Sequence, residues 1–92
     1  MKAFRQSVLC AIARKNIRLI PATKSSLHAE FSNADQLGRA LASLWQNAYI
    51  SRRWNETHDE MEYCVKRTDG IPPSAQPEGF STKIHDRWLS QV

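Results

Sequence analysis

Gln36, Arg39, Ser43 and Gln46 are the residues of this chain whose types and spacing could do chemistry. Leu37, Leu41 and Leu44 recur at i, i+4 and i+7, which is one apolar stripe of a helix. At about 100° per residue, the four polar residues then gather on the side away from that stripe. An arginine can fork onto guanine O6 and N7, a glutamine can pair with adenine N6 and N7, and a serine serves either base. The chemistry on offer is hydrogen-bonded readout of base edges, with no covalent step. Any solvated helix face carries similar residues, so the assignment rests on what surrounds it.

Two further sets could contact a nucleic-acid backbone. Lys24, Ser25 and Ser26 stand where a second helix should begin, and free N–H groups beside a cation favour a phosphate; ordinary capping uses the same residues. Arg52 and Arg53 fall on a strand and could straddle a backbone or a minor groove, with Lys66 and Arg67 closing the next strand. Charge on an edge strand also protects a sheet from aggregation.

Catalysis and metal binding find little purchase. His28, His58 and His85 are scattered, and neither a nucleophile elbow nor a phosphate-cradling glycine loop occurs. Cys10 and Cys64 lack the paired spacing of a zinc or redox site and read as small buried hydrophobes in a reduced, cytoplasmic setting. We expect no enzyme activity, no metal and no cofactor. The apolar run Val8–Ile12 is too short for a membrane span or signal peptide, and Arg14 and Lys15 follow it at once.

The formal charge of +4 is unevenly spread. Residues 1–54 carry nine Lys or Arg against Glu30 and Asp35, a net of +7, whereas residues 55–92 carry four against seven, a net of −3. A basic first half suits a phosphate-rich partner. Glu56, Asp59, Glu60 and Glu62 crowd a later hairpin and would repel phosphate, so that hairpin either points away from DNA or serves a protein partner.

The elements that must position these residues follow from periodicity. Phe4, Val8, Ala11 and Ile12 predict an amphipathic helix over 2–15, with Asn16 as its stop. The run Ile17–Ile20, ended by Pro21, predicts a short strand. Thr23, Ser25 and Ser26 offer caps for a short second helix carrying Leu27 and Phe31, and Asn33 caps a third, with Asp35 in its first turn. Asn47 should end that helix in the left-handed conformation. Runs 48–54 and 61–67 flank a polar stretch and predict a hairpin, with Trp45, Tyr49, Trp54 and Tyr63 packing around it. Gly38, inside the third helix, implies a close approach by a neighbour.

This order over residues 2–67, with Leu41-Ala42-Ser43-Leu44-Trp45-Gln46-Asn47-Ala48-Tyr49-Ile50-Ser51-Arg52-Arg53 and Glu62-Tyr63-Cys64-Val65 as its most telling parts, resembles the winged helix-turn-helix domains of small bacterial and phage transcription regulators. Such families usually carry glycine where this chain has Ala48 and often a basic wing tip where this one is acidic. The resemblance implies an α+β fold with three helices and a small antiparallel sheet, the third helix in the major groove of double-stranded DNA and the second across the backbone. The runner-up is a winged-helix protein-interaction module that uses the acidic wing and the tail. Residues 1–68 form the expected domain. Residues 69–79, with Pro72, Pro73 and Pro77, read as a mobile linker, and 80–92 as an amphipathic segment whose Ile84, Trp88 and Leu89 should dock, by preference in a homodimer, or else on its own domain or a protein partner.

Overall fold

The computed structural model describes residues 1–91 as an α+β fold of four α-helices and one three-stranded antiparallel sheet. Helix α1 (Ala3–Ile17) is followed by strand β1 (Ala22–Thr23), α2 (Lys24–His28), α3 (Ala34–Gln46), β2 (Ile50–Asn55), β3 (Glu60–Val65) and α4 (Thr82–Ser90). The strand order is β1-β3-β2, so β3 is central and β2 forms one open edge. Val8, Leu9 and Ile12 of α1, Leu27 of α2, and Leu37, Leu41 and Leu44 of α3 close one core with Ile50 and Val65 of the sheet.

The helices start and stop for local reasons. Thr23 accepts from the Ser26 amide while the Ser26 hydroxyl accepts from the Thr23 amide, a reciprocal box that fixes the start of α2. Asn33 caps α3 by accepting from the Gln36 amide at 3.0 Å. At the end of α3 the left-handed residue is Ala48, at φ 61°, and not Asn47. The Tyr49 amide donates to the Leu44 carbonyl and the Ala48 amide to that of Trp45, which is the Schellman pattern.

The same motif corrects the expected strand at 17–20. Ile17 still belongs to α1, Leu19 takes φ 59°, and the Ile20 amide returns to the Lys15 carbonyl. The β-branched run is therefore a helix end, and pairing begins only at Ala22, opposite Tyr63. Asn16 is not a stop either. Its buried side chain donates to the Tyr63 carbonyl at 3.1 Å and accepts from the Val65 amide at 2.9 Å, continuing the ladder where β1 has run out.

Beyond β3 the chain keeps to the body. Ile71 is buried in the core, a 3₁₀ turn covers Pro73–Ala75, and the Gln76 amide donates to the Thr68 and Ile71 carbonyls. Proline removes ladder donors from 69–79, but side-chain bonds and one apolar anchor hold the segment in their place. Helix α4 then packs on its own chain, with Trp88 and His85 buried and Leu89 half exposed. No helix among the described residues is long and apolar enough to cross a membrane.

Candidate functional site

Gln36, Arg39 and Gln46 are exposed on α3, and Ser43 beside them is half-buried. Burial of Leu37, Ala40, Leu41 and Leu44 sets this orientation, since their apolar contacts leave the polar side of α3 in water. Arg39 has no side-chain hydrogen bond or ion pair among the described residues, so its guanidinium is unclaimed. Asn47 donates to the Ser43 carbonyl at 2.8 Å and closes the lower end of the face.

The α2 set is only partly open. Lys24 is exposed, and its Nζ lies 3.2 Å from where a Cβ on Gly38 would stand. The missing side chain at Gly38 thus gives Lys24 room to lie across α3. Ser26 is committed to the capping box and to the Pro21 carbonyl. Ser25 donates its amide and its hydroxyl to the two carboxylate oxygens of Glu60. Those bonds hold the Glu60 carboxyl below its ordinary range, and the start of α2 is already served by an internal anion.

Arg52 and Arg53 part company, because successive residues of a strand face opposite sides. The Arg52 guanidinium lies 3.6 Å above the Trp45 ring, on the α3 side of the hairpin. Arg53 points to the other side, where it pairs with Glu62 at 3.4 Å, sits 4.0 Å from the Trp88 ring and donates to the Trp88 carbonyl. Glu62 also accepts from Asn55 at 2.9 Å and from the Trp88 indole at 2.7 Å. Arg53 therefore fastens α4 to the sheet, and only Arg52 stands beside the α3 face.

These bonds also change what the hairpin's carboxylates mean. Glu60 and Glu62 are consumed internally, which leaves Glu56 and Asp59 as the exposed acids of the tip. His58 is a turn residue whose amide donates to Asn55, and among the described residues no group of three His, Cys, Asp or Glu side chains gathers as for a metal. Burial pushes the Cys64 thiol up to about 12, so it is a thiol and not a reactive thiolate at neutral pH.

Sequence reasoning passed over Trp45 as the platform for Arg52 and Glu60 as the partner of α2. Both depend on which residues face each other across elements, and a helix or strand period carries no such signal. The chain matches no protein-family model, no curated protein and no solved structure.

Proposed function

We propose that this protein is a winged helix-turn-helix module that binds double-stranded DNA in a sequence-specific way, as a small transcription regulator with α3 in the major groove. The observation that carries the reading is the exposed, unpaired Arg39 set among Gln36, Ser43 and Gln46 on α3, flanked by Lys24 on one side and by Arg52 over Trp45 on the other. Arg39, Gln36 and Gln46 would contact base edges, while Lys24 and Arg52 would meet phosphates. The sheet order, with a short strand between the first two helices and a hairpin after the third, supports the same architecture.

Binding to random duplexes should fall steeply with salt, because the basic first half acts by releasing counterions. Arg39→Ala should weaken a selected site by about 1–3 kcal/mol and relax its base preference, whereas Lys24→Ala should weaken all sequences alike. Fluorescence anisotropy on selected and random duplexes separates the two. Absence of duplex binding at low salt would overturn this reading in favour of a protein-interaction module, which the exposed Trp54 beside Glu56 and Asp59 favours.

A further inference from the structure

Complementary charges stand unpaired at the two ends of the β2–β3 hairpin. At its base, a groove of about 500 Å³ runs along the open β2 edge between the end of α3 and α4, with Trp45, Ile50 and Leu89 among its walls. Its charged lining is Arg52, Arg53 and Lys66, with no carboxylate. Arg53 is taken by Glu62, but among the described residues Arg52 and Lys66 have no ion pair. The rims are apolar and open, Trp45 being 40% and Leu89 50% exposed. At the tip, Glu56 and Asp59 have no ion pair among the described residues, and Trp54 next to them is 54% exposed.

The tip cannot satisfy its own groove. Glu56 lies four residues along the strand from Arg52, roughly 13 Å at the usual rise, and the Arg52 guanidinium is turned inward over Trp45. A second copy can. Setting two β2 edges antiparallel about a two-fold axis at Trp54 brings Arg52 opposite Glu56 of the second copy, because both stand two residues from the axis. The two Trp54 rings then meet at the axis, and the acidic tip lies along the basic groove. A two-fold contact makes the Arg52–Glu56 pair twice and the Trp54 contact once, and tryptophan and arginine are the residue types that carry binding energy at interfaces.

We propose that this protein forms a two-fold dimer in which the acidic, Trp54-bearing hairpin tip of each copy seats in the basic groove along the β2 edge of the other. The groove shares Arg52 with the surface proposed to meet phosphates, whereas Gln36, Arg39, Ser43 and Gln46 lie outside it, so pairing is to be read on protein free of nucleic acid.

Light scattering on nuclease-treated protein tests it. The full chain should run at twice its 10.5 kDa mass at low salt and dissociate as salt screens the contact. A tip variant, Glu56→Lys with Asp59→Asn, keeps a residue at 59 that tolerates its left-handed backbone and should be monomeric. A groove variant, Arg52→Glu with Lys66→Glu, should also be monomeric, with thermal melts confirming that both variants fold; Arg52→Glu alone serves if the double change does not. Mixed in equal amounts, the two variants should recover the doubled mass, since each then offers the charge the other needs. A wild-type chain that stays single at millimolar concentration and low salt, a dimer indifferent to both variants, or a mixture that fails to recover would each overturn the proposal.

Discussion

Asn16 shows how far one residue's role can lie from its local pattern. Asparagine after a helical stripe reads as a stop, yet its amide replaces a missing stretch of β1 against Tyr63 and Val65. That role needs the chain reversal at Leu19, which no period announces. Replacement by leucine would keep the bulk and take a partner from the part-buried Tyr63 carbonyl and the buried Val65 amide. At about 1–3 kcal/mol for each unsatisfied group, Asn16→Leu should lower stability by about 2 kcal/mol or more, read as a shift in urea midpoint without loss of the native spectrum. An unchanged midpoint would mean that water reaches the Val65 amide after all. The readable residues were of the opposite kind. Asn33, Thr23 and the leucines of α3 act within one turn of themselves, so spacing alone exposes them.

At the scale of elements, α4 is the least anticipated placement. Its apolar stripe was legible, but of the side chains that receive it Arg53 read as a nucleic-acid contact, Glu62 as an acid of the hairpin, and Ser51 carried no signal. They form a polar seat on the outer face of the sheet. His85 sits in that seat 2.7 Å from the Ser51 hydroxyl and stacks on Trp88. Desolvation lowers its pKa below the ordinary histidine value, Lys66 lowers it further, and Asp86 opposes the shift. With the folded value depressed, the neutral imidazole is favoured when α4 is docked. Docking should then be complete above the ordinary histidine range and should weaken as pH falls through about 6.5 and below. Amide resonances of residues 82–90 should broaden or shift on acidification ahead of those in α1 and α3, and His85→Gln should flatten the dependence. Equal pH responses throughout the chain would count against His85 as the cause. The hairpin itself was legible from its alternation, although its first strand begins two residues later than the β-type run suggests, because Ala48 and Tyr49 are spent on ending α3, and its second strand ends two residues sooner, at Val65.

The whole molecule joins what composition divides. Three prolines and two glycines between 69 and 79 look like a boundary, since they remove ladder bonds and break helices. The boundary is nonetheless bridged, because Ile71 enters the core and the Cys10 thiol meets the Ala75 carbonyl at 3.6 Å. Composition cannot report this, as a single isoleucine among prolines carries no periodic signal. The consequence is that residues 69–91 should belong to the same cooperative unit as residues 1–68. A chain ended at Thr68 would lose Ile71 from the core, uncover the outer face of the sheet and leave Glu62 without the Trp88 indole. We expect that fragment to show a lower urea midpoint and a smaller m-value than the full chain, because it has less surface left to expose on unfolding. The full chain should give one transition by circular dichroism and by tryptophan fluorescence, even though Trp45, Trp54 and Trp88 lie on three different elements. Should the fragment melt at the full-length midpoint, or the two probes of the full chain disagree, residues 69–91 would be an appendage to the fold and not a part of it.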